Sequence, residues 1–358
     1  MRTPLLVVLV AAALGCSPSK GPDASGGLNP GGSGPGATGG NGLGGNGFGG
    51  GPAGSGPGAT GGGGSGQLGA GGGGGFDAAG IPAPVTTYPL SIGPVDLQPG
   101  VETTVCVYAR VPNPSAVFVA HMSADLSAGS HHLIVYRATG AQENKTPQPC
   151  FPFQGIIGGA EAPLLIVQKE HDELDFPEGV ALKIEPGQVI KLETHYINTT
   201  ASPLQGRATV YFDTVPITTP NFIESDLAFW GPTVFSLPPK QTAKTPVMFE
   251  AGRPNTQGFA MTTHQHRLGT HFRIWYGKSQ ADPNAQQLLD STDWEEPPLY
   301  RFSPSLPFDG QSGLFFQCEW NNVTDQFITF GESALQEMCF LWMYYYPSSG
   351  FDIRLRAF

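Results

Sequence analysis

The chain is short of positive charge. It carries 18 Lys and Arg against 29 Asp and Glu, a formal net charge of −11. A nucleic-acid binder needs a basic face to neutralise phosphates, so that class is excluded. Sustained helical periodicity is also scarce, and 34 prolines interrupt whatever helical pattern begins. No internal repeat is visible. The glycine-rich runs lack a preceding strand and a closing Gly-Lys-Ser/Thr, which excludes a phosphate loop. Cysteine is limited to five residues, too few for a disulfide-dense scaffold.

What is present begins with a signal. Arg2 is followed by an apolar run, 5–14, which suits export and is too short to span a bilayer. Ala13-Leu14-Gly15-Cys16 resembles a lipobox with Cys16 as the lipidated residue. The expectation is a signal over 1–16 and anchoring by acyl chains, with no transmembrane helix. Ser17, not Asp, at the following position points to the outer membrane. Residues 17–80 should form a disordered tether. Of 51 glycines, 31 lie between Gly21 and Gly80, and such a stretch cannot bury enough apolar surface to offset ordering. Its reach would be roughly 40 Å.

Beyond residue 80 the composition is that of a folded protein. Short β-rich runs recur at 104–111, 116–121, 132–136, 189–197, 208–212, 257–263, 272–276, 314–319, 326–330 and 338–346. Many short strands between turn residues predict an all-β sandwich or jelly roll. Pro216, Thr218, Thr219 and Pro220 interrupt the pattern and suggest two parts, 81–215 and 216–358. Four cysteines remain after Cys16, an even number that reads as disulfides in an exported chain. Spacing allows three connectivities; the local choice pairs Cys106–Cys150 and Cys318–Cys339.

Histidine and methionine supply the chemistry. His131 and His132 are adjacent, and neighbours in a regular strand face opposite ways, so they share an ion only at a bend or strand start. Gly129-Ser130 offers one. On a strand over 189–197, His195 shares a face with Lys191 and Glu193 and points away from the core, towards a polar surface or cleft. His264 and His266 lie two apart and project from one strand face. Met338 opens an aromatic run. A thioether among imidazoles is a soft donor that suits Cu(I) and does little for zinc, magnesium or calcium. Each piece has a bland reading: solvated histidines, and a methionine that fills core. His121, His171 and His271 read as non-ligands.

Taken in order, His131-His132, Glu193-Thr194-His195-Tyr196, His264-Gln265-His266-Arg267-Leu268-Gly269 and Glu337-Met338-Cys339 resemble the motifs of the copper type II, ascorbate-dependent monooxygenases. Glu102-Thr103-Thr104-Val105-Cys106 resembles that family's entry strand. The resemblance implies two jelly-roll domains in tandem, each carrying one copper, with a solvent-filled cleft between them. It implies that His131, His132 and His195 hold an electron-supplying copper. His264, His266 and Met338 would hold the catalytic one. Ascorbate or a similar donor would supply electrons, and a C–H bond of a small organic substrate would be hydroxylated with dioxygen. Where the peptide-amidating branch has Arg and Asn to grip a carboxylate, this chain has Thr262 and Phe340, which argues against peptide amidation. The cysteines of a third disulfide of the family's second domain are missing here. The alternatives are a copper-binding or copper-storage lipoprotein without turnover, and a structural sandwich with incidental histidines.

Overall fold

The computed structural model describes residues 85–153, 155–156, 161–278 and 282–357. The signal, Cys16 and the 17–80 tether lie outside the described residues. Among those described, no helix is long and apolar enough to cross a membrane.

The all-β expectation is met, with sheets paired in tandem. Two sheets use strands up to Glu224. One has six strands, with Leu204–Pro216 and Val117–Leu126 side by side at its centre. The other has five, in the order Asn144–Pro149, Glu102–Arg110, Val189–Ile197, Ser130–Ala138, Glu161–Val167. Two more large sheets, and a two-stranded one of Ser236–Leu237 with Ile328–Thr329, use strands from Asp226 onward. One runs Tyr300–Phe308, Thr256–His264, Phe340–Tyr346, Asp226–Val234, Asp352–Ala357. The last is built round Gly269–Gly277 and Gly313–Asn322. Most of the β-rich runs become strands. The run at 326–330 shrinks to Ile328–Thr329, and the last one begins at Phe340, so Met338 and Cys339 precede it.

Period-two alternation explains the layering. Along Phe340–Tyr346, Phe340, Trp342 and Tyr344 join one apolar core. Leu341, Met343 and Tyr345 join the other, inside the C-terminal pair of sheets. The first core also contains Leu133, Leu192, Tyr196 and Phe212 of the N-terminal sheets. Apolar packing is therefore continuous across the junction of the two sandwiches. Each such side chain contributes about 1.5–3 kcal/mol on burial, so the junction is held much as a domain interior is. The sandwiches meet through this apolar junction, and a cavity lined by residues of both, His131 and His266 among them, remains open.

The Val189–Ile197 strand departs from its expectation. Its polar face was expected to meet a surface or cleft, yet Lys191, Glu193 and His195 are all buried. Lys191 Nζ stands 2.8 Å from Glu161 Oε2 and 2.8 Å from Glu193 Oε2, and Tyr136 donates to Glu193 Oε1 at 2.9 Å. Pairing of this kind offsets the desolvation of the charges.

Both local disulfides form, Cys106–Cys150 and Cys318–Cys339. They close 44- and 21-residue separations, and loops of that order stabilise by about 3–4 kcal/mol in the chain-entropy treatment. The second anchors Cys339, and with it the residues that precede the Phe340–Tyr346 strand.

Candidate metal centre

Strand Ser130–Ala138 lies antiparallel to Val189–Ile197, with His132 opposite His195. Directly opposed residues share a face, and the two rings are 5.3 Å apart. The register slips between Ser130 and His132, so His131 is the extra residue of a bulge. The bulge re-aims its side chain. Gly129 enters the strand at φ +83°, where a Cβ would also come within 3.1 Å of Leu204. The bend thus lets adjacent histidines meet: their rings are 5.1 Å apart, and His131 lies 5.5 Å from His195. One nitrogen from each of His131, His132 and His195 falls within 4.8 Å of the others.

The second set begins where strand Thr256–His264 ends. His264 pairs with Phe340 across the sheet, and His266 occupies the turn that follows. Their rings are 5.1 Å apart. The turn is held by Glu337, a fully buried carboxylate that accepts from His266 N–H at 3.0 Å, Leu268 N–H at 2.8 Å and Trp320 Nε1–H at 2.9 Å. Burial pushes Glu337 up to about 7, against the pull of those donors. Met338 follows it directly and is fully buried. The strand register ends at the His264–Phe340 pair, and Met338 is tied to His266 through its chain neighbours Gln336 and Glu337. Burial in the apolar junction would equally suit a core methionine. What distinguishes Met338 is that both residues before it bond to His266.

The two sets meet. His132 lies 5.3 Å from His264, and His131 lies 6.1 Å from both His264 and His266. All five imidazoles occupy one chamber at the junction. His121, His171 and His271, the expected non-ligands, instead stand against Asp213, Asp125 and Asp290. The sulfurs of Cys106 and Cys150 lie near Glu193 but are bonded to each other, so they offer no thiolate.

The hydrogen bonds around the rings prepare them for a metal. His264 Nδ1 is 2.6 Å from Gln168 Oε1. Gln168 donates its amide N–H to Thr263 O at 3.0 Å, so its oxygen faces the ring and His264 Nδ1 carries the proton. His266 Nδ1 donates to the Gln336 carbonyl at 2.9 Å. Each ring is left with a lone pair on Nε2, and both Nε2 atoms are buried without a partner. Both nitrogens of His132 are likewise buried and unpartnered. Orphaned buried polar atoms are costly, and unpartnered nitrogens on three neighbouring imidazoles fit a metal that takes nitrogen donors. His195 Nε2 is 3.1 Å from Glu102 Oε1, which also accepts from Ala334 N–H at 2.8 Å.

Burial sets the charge state. It pushes His131 down to about 3, with His195 and His266 adding to the effect. It takes His266 down to about 4, against the Gln336 carbonyl. His132 and His264 fall well below the ordinary range for the same reason, and His195 is lowered by burial despite Glu102. All five rings are neutral at pH 7 and competent as ligands.

Gln168 and the Gln336 carbonyl escaped the sequence reading. Gln168 follows strand Glu161–Val167, 96 positions from the ring it orients, and no local pattern marks it. Glu102 and Glu337 were present only as parts of motifs.

Residues 242–354 match the family model for the copper type II ascorbate-dependent monooxygenase, C-terminal domain. That span contains His264, His266 and Met338. No curated protein matches the chain. Among solved structures, the major capsid protein P2 of Bacteriophage PM2 is similar at 11% identity over 73% of this chain and 97% of that one, with a TM-score of 0.34. A secreted protein from Eubacterium rectale shows 9% identity over 70% of each chain, with a TM-score of 0.22. A chain from Sulfolobus Turreted Icosahedral Virus shows 6% identity over 72% of this chain and 58% of that one, at 0.18. These three likenesses are distant.

Proposed function

Because this chain belongs to the copper type II ascorbate-dependent monooxygenases through residues 242–354, we propose that it hydroxylates a C–H bond of a small organic molecule with dioxygen and a one-electron donor such as ascorbate. Two coppers are assigned. His264, His266 and Met338 would hold the catalytic ion, and His131, His132 and His195 the one that supplies electrons. When bound, copper supplies one-electron redox chemistry and activation of dioxygen.

The observation that carries this reading is the set of orphaned nitrogens, His132 Nδ1 and Nε2, His264 Nε2 and His266 Nε2, within one chamber. The chain's own residues do the rest. Gln168 and the Gln336 carbonyl fix which nitrogen of His264 and His266 is free. Glu337 holds the turn that carries His266 while its neighbour presents a thioether, a donor that favours the reduced ion. Phe340 and Trp342 supply an apolar wall at the junction, while a charged cavity beside His131 and His266 stays open.

The site assignment is tested by loading the protein with copper, adding ascorbate and oxygen, and measuring substrate-dependent oxygen uptake together with copper stoichiometry. Uptake requires His264, His266 and Met338. Copper bound without uptake over a broad substrate screen would favour the storage reading instead. We also propose that the protein is exported and lipid-anchored through Cys16 at the cell envelope, in the outer membrane, with the 17–80 tether separating anchor and enzyme. The two disulfides suit an oxidising compartment.

A further inference from the structure

Two cavities flank the imidazole chamber, and they differ in chemistry. One opens beside His131 and His266 and is lined by charged side chains of both signs, among them Lys169, Glu170, Arg267 and Glu295. The other, of about 350 Å³, is walled by Phe153, Phe229, Phe330 and Phe340, with Phe151 at its exposed edge. Glu332 is the one ionisable side chain in that wall.

The apolar cavity adjoins the chamber at three points. Phe153 lies 6.3 Å from the His132 ring. Phe340 is the cross-strand partner of His264. Gln336, also in the wall, accepts from His266 through its carbonyl. Its phenyl rings pack on one another, with Phe229 and Phe340 stacked at 4.2 Å and Phe153 and Phe229 at 6.1 Å. A volume of this order suits a compact ligand in van der Waals contact with aromatic walls.

We propose that this cavity is the substrate pocket, and that it takes a small uncharged molecule, mostly hydrocarbon, with one hydrogen-bond acceptor addressed by Glu332. The proposal rests on the hydroxylase reading and names its substrate class. The other charged groups near Glu332 leave it to this task. Glu193 is already paired with Lys191, and among the described residues no cation stands within ion-pair distance of the Glu332 carboxyl. Burial, helped by the charge of Glu193, pushes Glu332 up to about 9. At neutral pH it therefore offers an O–H donor, not a negative charge. An anionic substrate would find no counter-ion in the wall, and a neutral acid gives a cation no opposite charge to pair with.

Binding of acetophenone, phenethylamine and phenylacetate to the full chain, metal-free and with Cu(II), followed by ligand-observed NMR, tests this. Acetophenone is expected to bind the metal-free protein at least tenfold more tightly than either charged probe. Glu332→Leu should weaken it by about tenfold, the scale of one lost hydrogen bond. Glu332→Gln, which retains an N–H donor, should stay within about threefold. Thr233→Phe, at the cavity wall, should exclude the probe. On the Cu(II)-loaded protein the probe's resonances should broaden paramagnetically. Stronger binding of phenethylamine that is lost in Glu332→Gln would overturn the uncharged class. No acetophenone binding, or binding without paramagnetic broadening to protein whose copper content shows the histidines loaded, would overturn the pocket. The hydroxylase reading fails separately, through an absence of copper binding at the histidines while metal-free probe binding persists.

Discussion

The two ligand sets are built differently. His131, His132 and His195 sit within paired strands, brought together by a bulge, and His132 has no partner on either nitrogen. His264 and His266 sit at a strand end and in a turn, each with Nδ1 committed to an oxygen, and the turn itself is gripped by Glu337. The first set is shaped by sheet register, with Glu102 holding His195 as its one hydrogen-bonded ring. The second is shaped by hydrogen bonds arriving from Gln168 in the N-terminal sandwich and from residues 336–337. Outer partners of this kind fix tautomer and ring orientation. The contrast teaches that the second set is pre-organised for one coordination mode, whereas His132 is free to use either nitrogen.

Removing ligands breaks the comparison most severely. His264→Ala with His266→Ala should lower ascorbate-driven oxygen uptake by on the order of 1000-fold or more, the scale seen when a catalytic unit is dismantled. Copper at His131, His132 and His195 should remain, and stoichiometry by atomic absorption checks both halves of that outcome. Gln168→Leu should cost about 10–100-fold in copper affinity at the second set. It should leave the first set unchanged, as measured by competition with a Cu(I) chelator. If both sets weaken alike, the sets are not independently organised.

Acid sharpens the comparison in a different way. The histidines have folded pKa values below the ordinary 6.5, so the folded protein binds fewer protons than the unfolded chain once pH drops below that value. Above pH 6.5 the rings are neutral in both states and carry no protonation penalty. Stability should then fall as pH falls, down to about 4 for His266 and about 3 for His131. Thermal unfolding of the metal-free protein should show a lower Tm at pH 5 than at pH 7.5. Copper should restore part of it by binding the neutral rings. The smallest effect is expected from His271→Ala, which lies outside the chamber against Asp290. Oxygen uptake there should stay within about twofold, in line with a surface change.

Much of this was legible in the chain. The adjacent histidines after Gly129-Ser130 announced a bend, and the structure places a bulge there. The spacing of His264 and His266 put them together, although His266 reaches its partner from a turn and not from the strand. Local pairing of the four cysteines also held. The rest depended on tertiary packing. Strand Val189–Ile197 alternates as a half-exposed strand would, yet Glu161, Tyr136 and Phe153 of its own sandwich close over Lys191 and Glu193. Gln168 could not be found because its role arises only when Thr263 and His264 from the other sandwich arrive beside it. Phe340 and Trp342 also supply an apolar junction face that nothing in their own segment assigns, and an open space between the sandwiches remains as the charged cavity beside His131 and His266.

The central claim is that Met338 donates sulfur to the ion held by His264 and His266. X-ray absorption at the copper edge of the Cu(I)-loaded protein tests it most directly. The account predicts a sulfur scatterer in the wild-type spectrum that disappears in Met338→Ala, with one copper lost or weakened. A spectrum fitted by nitrogen and oxygen alone, unchanged by Met338→Ala, would contradict it.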